Sequence, residues 1–178
     1  MSQWNGRSLF LCRAWERAPD LSVTSDAAGS IGCAGIYQKT WFAERWPPGV
    51  LAVNIAVKEL IPIVLAAKLW GKFWARKRIA FRCNNMAVVM GLKHGSCRNR
   101  HLAFLLRELT LIAITNHFTF TAIHIPGINN TLADALSRFN FQAFFAAAPD
   151  ADSISSPLPP GALHYLLFPP WIKAGSTC

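Results

Sequence analysis

Nine acidic residues stand against eighteen lysines and arginines in this 178-residue chain, so each acid can be weighed singly. Three of them sit among apolar neighbours. Asp26 follows the apolar run "LSVTS" and precedes a turn of small residues. Glu59 lies in the first turns of a long apolar segment, beside Val57, Leu60, Ile61 and Ile63. Asp134 lies in "TLADALSR". A carboxylate in such surroundings is costly unless it is paired, hydrogen-bonded or bound to a metal. Taken singly, each has an ordinary explanation: Asp26 forms a turn, Glu59 opposes a helix dipole, and Asp134 serves a capping turn. Taken as a group, they would repel one another, and divalent cations relieve such repulsion best. A fourth position stands out. "FRCNNMAVV", residues 81–89, opens as a buried strand and ends on Asn84 and Asn85, where a carboxylate would be expected.

The elements that must position these residues follow from local pattern. "LSVTSDAAGSIGCAGIY" reads as a hairpin, with 21–26 pairing back onto 32–37, and "TWFAERW" offers a third strand before "PPG" breaks the chain. "NIAVKELIPIVLAAKLWGKFWARK" is too long for a strand and apolar on most faces, so it predicts a buried helix capped by Asn54 and disturbed by Pro62. "RIAFRCN" predicts a strand, "NMAVVMGL" a short helix, "LAFLLRELTLIAITNH" an amphipathic helix, and "FTFTAIHI" another strand. "PGINN" turns into the short helix "TLADALSRF", with Thr131 or Asn130 as its cap. The order β-β-β-α-β-α-α-β-α predicts a mixed α/β sheet with helices packed on it. If the Asn84 strand runs parallel beside the Asp26 strand, the strand ends and two helices converge, and three carboxylates face one amide.

Composition narrows the setting. A net charge of +9 favours a polyanionic partner, nucleic acid ahead of an acidic membrane surface. Five scattered cysteines, with no C-x-x-C pair, make neither a disulfide framework nor a zinc site and suit a reducing compartment. The first twenty residues lack a signal-peptide pattern, and the most apolar stretch carries Lys58, Glu59, Lys68 and Lys72, which argues against a membrane span. The expected setting is intracellular, nucleus or cytoplasm. "KHGSCRNRH" presents Lys93, Arg98 and Arg100, either as a phosphate grip or as a solvated loop. His124 closes an alternating strand, as a proton shuttle, a ligand-orienting group or a structural histidine. Trp70 and Trp74, at helical spacing, belong to a core. Asn85 is placed to reach a nucleic-acid sugar, to cap the next helix, or both. From "AAAPDADSISSPLPPG" onward, Pro, Ser and Asp predict a weakly ordered tail whose removal costs little stability, ending in an apolar docking strip, "ALHYLLFPPWI".

Four words, "SDAAGSIGCAGIY", "NIAVKELIPIVLAAKLWG", "FRCNNMAVV" and "HIPGINNTLADALSR", resemble the ribonuclease H domain of retrotransposon reverse transcriptases, DIRS-like elements above all. The resemblance covers roughly residues 21–140, and its last motif is the specific one. It implies an RNase H-like fold with a five-stranded mixed sheet, and a domain over 21–142. Residues 1–20 resemble a remnant of the polymerase connection, and 143–178 form the Pro/Ser-rich tail. No polymerase domain is in the chain, so the resemblance implies a C-terminal fragment of an element and a possible polymerase partner. The implied activity is hydrolysis of the RNA strand of an RNA–DNA hybrid by two Mg²⁺ ions, with Mn²⁺ as a substitute. In such chemistry the ions sit about 3.5–4 Å apart, one activating water and one stabilising the leaving oxygen. The implied catalytic positions are Asp26, Glu59, Asn84 and Asp134. Three of them are metal ligands, and Asn84 stands in "CNN" where the family has a word close to "CDN". Asn85 matches the family's asparagine. An amide keeps the shape and one carbonyl oxygen but not the charge that holds two cations together. The expectation is therefore an impaired nuclease, with a non-catalytic hybrid-binding or structural remnant as the alternative.

Overall fold

The computed structural model of the chain describes residues 19–170. The expected connection segment, apart from Pro19 and Asp20, lies outside the described residues. Asp20 binds the chain just before the first strand to the start of the neighbouring strand: its carboxylate accepts from the Arg78 backbone N–H at 2.8 Å and from the guanidinium at 3.0 and 3.2 Å. That pairing holds the Asp20 carboxyl down to about 2.

Five strands form one sheet: β1 (Leu21–Ala28), β2 (Gly32–Tyr37), β3 (Thr40–Arg45), β4 (Arg78–Cys83) and β5 (Thr119–His124). Their order across the sheet is β3-β2-β1-β4-β5. The first three run antiparallel, whereas β1–β4 and β4–β5 are parallel. The mixed five-stranded sheet expected from the sequence is the sheet observed. The β1–β4 register pairs Thr24 with Arg82, so two residues further along each strand Asp26 and Asn84 arrive level with one another at the strand ends. Parallel strands need crossovers, and helices supply them: α1 (Ile55–Trp70) joins β3 to β4, while α2 (Met86–His94) and α3 (Arg100–Thr115) join β4 to β5.

Alternation along each strand divides the core in two. Val23, Ala27, Cys33, Ile79 and Phe81 face the helices α1, α2 and α3 in the larger cluster. Ala34 and Trp41 face α4 (Thr131–Ser137) and α5 (Phe141–Ala147), packing with Leu136 and Phe144. Being covered on both faces explains why α1 is apolar nearly all round. Its Asn54 cap accepts from the Ala56 N–H at 2.8 Å, as expected. Pro62 lies inside the helix rather than near its start, removing one internal hydrogen bond where packing on several sides secures the segment. Trp70 and Trp74 are buried, and Trp74 meets Tyr37, Phe81 and Phe118 edge-on. They are core residues, as their spacing suggested.

The weakly ordered tail expected after residue 148 is corrected by the structure. Asp152 donates its N–H to the Lys39 carbonyl at 2.9 Å and Ser156 to the Trp41 carbonyl at 2.7 Å, so the segment lies along the open edge of β3. Trp41 Nε1 returns a bond to the Asp152 carbonyl at 2.7 Å. The chain then turns through Pro159 and Pro160 into α6 (Ala162–Leu167), whose Ala162, Leu166 and Leu167 join the larger core. His101 of α3 bonds the Leu166 carbonyl at 2.7 Å, and Tyr165 donates to Glu108 at 3.2 Å. A six-residue helix is too short to display a helical period, which is why composition pointed to disorder. The apolar strip docks on this domain through α6; its Trp171 and Ile172 lie outside the described residues.

Candidate active site

Asp26 is the hub. It is 3 % exposed, and three neutral side chains from three places donate to its carboxylate. Asn84, just after β4, donates Nδ2 to Oδ1 at 3.3 Å. Asn130, in the turn before α4, donates Nδ2 to the same Oδ1 at 3.1 Å and also to the Ser25 carbonyl at 3.1 Å. Ser137, in the last turn of α4, donates its hydroxyl to Oδ2 at 2.7 Å. Burial still raises the Asp26 pKa, opposed by the Ser137 hydrogen bond and assisted by the negative charge of Asp134.

Glu59 enters from α1 and is 6 % exposed. Its Oε2 has no hydrogen-bond partner, and burial, with the Asp26 charge adding to it, lifts its pKa to about 8. That direction favours the protonated form at neutral pH. Because the folded-state value lies above the ordinary 4.5, the folded protein holds a proton that the unfolded chain releases. Stability is therefore highest below pH 4.5 for this group and is lost as pH rises toward 8. Between about pH 6 and pH 8 the loss should be about 2 kcal/mol, and Glu59→Gln should abolish it. Urea denaturation of both proteins across that range checks this; parallel pH profiles would show that Glu59 is ionised throughout.

Asp134 does not join the hub directly. It lies in the first turn of α4, where its carboxylate accepts from Arg138 Nε at 2.8 Å, a half-exposed pair one helical turn apart. It acts on Asp26 through charge alone. Asn85 caps α2, its Oδ1 accepting from the Val88 N–H at 3.2 Å, so the capping reading of that residue is the geometry observed. Lys93, Arg98 and Arg100 are exposed around the end of α2 and the start of α3. Their loop is fixed by Cys97, which packs so close to Gly91 that a Cβ there would lie 2.6 Å from its sulfur. His124 is exposed at the end of β5, level with Cys83 in the parallel register.

Two contributors were not singled out from the sequence. Asn130 was read only as a helix cap, yet its side chain makes no cap and turns to Asp26 instead. Ser137 passed unremarked within "ADALSR". The signal was available in spacing: Ser137 stands three residues beyond Asp134, on the same helix face and toward the sheet.

The donor set does not fit a pair of divalent ions. Asp26 Oδ1 already accepts twice and Oδ2 once, Asp134 pairs with Arg138 at the surface, and burial disfavours the ionised form of Glu59. Asn84 turns its N–H, not its carbonyl oxygen, toward the hub. Four buried oxygens among the described residues lack partners: Ser25 Oγ, Glu59 Oε2, Asn84 Oδ1 and Asn130 Oδ1. Three belong to neutral groups and the fourth to an acid whose ionised form burial disfavours, so none offers the full charge that two mutually repelling dications require. Among the described residues, no three His, Cys, Asp or Glu side chains converge as ligands for one ion.

No family model matches the sequence, and no curated protein matches it. Solved structures do resemble the fold. RNase H1 of the halophilic archaeon Halobacterium salinarum NRC-1 superposes with a TM-score of 0.51 at 14 % identity, over 68 % of this chain and 98 % of that one. The N-terminal RNase H domain of Rv2228c from Mycobacterium tuberculosis gives 0.47 at 17 % identity, over 74 % and 99 %. With its β3-β2-β1-β4-β5 sheet and helices on both faces, the chain has an RNase H-like fold.

Proposed function

We propose that this chain is an RNase H-like nucleic-acid domain of retroelement, DIRS-like origin that binds RNA–DNA hybrids and whose hydrolytic site is impaired by Asn84. The observation that carries the reading is the Asn84 N–H on Asp26 Oδ1 at 3.3 Å, an amide at the strand end where the resembled family has a third strand- or helix-borne acid beside Asp26 and Glu59. The ancestral activity is cleavage of the RNA strand, supported by Mg²⁺ or Mn²⁺ and by Asp26, Glu59 and Asp134. The second reading, binding without catalysis, is favoured by the engagement of Asp134 with Arg138, which removes another acid from the hub. Hybrid binding and hybrid cleavage, measured side by side with Mg²⁺ and with Mn²⁺, separate the two. Saturable binding with weak cleavage supports the first, and binding with none supports the second. Absence of binding overturns both and leaves a structural remnant as the reading.

The binding surface in this reading comprises Asn85, Lys93, Arg98 and Arg100, with His124 as an auxiliary group near the site. All three cations are exposed, and the chain carries +9 overall. Affinity for a hybrid should therefore fall steeply with salt, the slope of log affinity against log salt being about −0.9 per neutralised phosphate on a B-form duplex and smaller on a hybrid. Contacts to backbone and minor-groove hydroxyls leave little sequence preference. Changing Lys93, Arg98 and Arg100 to Ala should shrink both affinity and slope, read by fluorescence anisotropy across a salt series. An unchanged slope would remove these residues from the interface. A polymerase domain outside the residues given is the further partner this origin implies. No helix among the described residues is long and apolar enough to cross a membrane.

A further inference from the structure

We infer that Asn84 is more than an absent ligand: with Asn130 and Ser137 it forms an all-protein cage that takes over the compensation of Asp26, so the domain holds its site together with no divalent ion. The inference rests on the site reading above and is independent of hybrid binding. A nearly fully buried carboxylate needs either a cation or a set of donors. Here the donors are present and come from separate parts of the chain: the end of β4, the turn before α4, and α4 itself. Each is neutral, so the cage satisfies the acid without adding a second charge. Asn130 also binds the Ser25 carbonyl, tying the α4 turn to β1 at two points. Ser137 is fully buried and spans to the carboxylate while also touching the Asp134 carbonyl at 3.0 Å. The cage thus closes β1, β4 and α4 on one another.

An aspartate at position 84 would reverse this. It would set a second carboxylate at hydrogen-bond distance from Asp26 and remove one donor, so the closed arrangement would come to need a cation. The consequence is a switch in what stabilises the fold.

Urea unfolding midpoints of the full chain, of Asn84→Asp and of Ser137→Ala, each in EDTA and in millimolar Mg²⁺, test the cage. The present chain should unfold at the same midpoint in both solutions. Asn84→Asp should lose at least about tenfold in its folded-to-unfolded ratio in EDTA, the usual order for an unsatisfied buried group, and should regain it as Mg²⁺ is added. Ser137→Ala leaves every charge in place, so it should lose about tenfold in both solutions with no Mg²⁺ response. A midpoint of the present chain that climbs with Mg²⁺ as steeply as that of Asn84→Asp would overturn the cage. So would Asn84→Asp as stable as the present chain in EDTA, or Ser137→Ala at the unchanged midpoint. If Asn84→Asp does not fold in EDTA, recovery on adding Mg²⁺ supports the inference, and failure to recover overturns it. None of these readings depends on a hybrid, so loss of the binding proposal and loss of the cage are separate results.

Discussion

Asn84→Asp should raise Mg²⁺-dependent cleavage of an RNA–DNA hybrid by at least about 10²–10³-fold over the present chain. The amide at 84 is neutral and presents an N–H to Asp26, whereas an aspartate adds a charge where negative charge develops on the reacting phosphate. Loss of a single pre-organised electrostatic partner in other active sites costs that range, and the change here restores a full charge. The added charge should also draw Glu59 and Asp134 into a working set, since a bound cation favours the ionised form of Glu59 that burial now suppresses. Single-turnover cleavage of a labelled hybrid measures the effect without interference from product release. Equal rates before and after the change would show that Asn84 is no defect. Inactivity of both, with the variant folded, would place the damage elsewhere, Arg138 on Asp134 being the first contact to remove.

Removal of the chain after Ser156 should destabilise the domain by roughly 3–6 kcal/mol, counting roughly 1.5–3 kcal/mol for each of the buried Leu166 and Leu167. That is a large share of the stability of an ordinary domain, about 5–15 kcal/mol, so the truncated protein should be close to unfolding at physiological temperature. Leu166→Ala is the finer probe, with an expected loss of about 2–5 kcal/mol for a fully buried leucine. Thermal and urea denaturation measure both. The truncation also uncovers Phe104, which Tyr165 meets edge-on at 5.6 Å, and the Glu108 carboxylate that Tyr165 and Lys68 share. Limited proteolysis gives an independent reading: the bonds within α6 should be cut no faster than those of α3. A truncated chain as stable as the full one would show that α6 contributes nothing to the core.

Why the tail misled and the sheet did not comes down to the range of the interactions involved. The strands from Leu21 to Tyr37 declare themselves by alternation, and α1 and α3 by length and apolar content, because these signals arise within one element. Asn54 and Asn85 could be read as caps for the same reason, each bonding an N–H two or three residues on. The tail has no such local signal. Its order comes from Lys39 and Trp41 carbonyls more than a hundred residues earlier, and from a groove beside α1 and α3 that receives Leu166 and Leu167.

The sequence by itself determined which residues would meet. Asp26, Glu59 and the Asn84 position were legible from apolar context and motif, on the condition that β4 runs parallel beside β1, and that pairing is supplied by the structure. What those residues do on meeting was decided only by the tertiary structure. Whether a carboxylate is compensated by a cation, by a guanidinium or by neutral donors depends on side chains that approach from distant segments, and the sequence carries no spacing rule for that. So Asn130, a candidate cap by sequence, donates to Asp26; Asp134, an implied ligand, pairs with Arg138 at the surface; and Glu59, buried without a partner for Oε2, has its pKa lifted to about 8. The physical reason is that desolvation and hydrogen-bond completion are properties of the assembled site, fixed only when β1, β4, α1 and α4 have closed on one another.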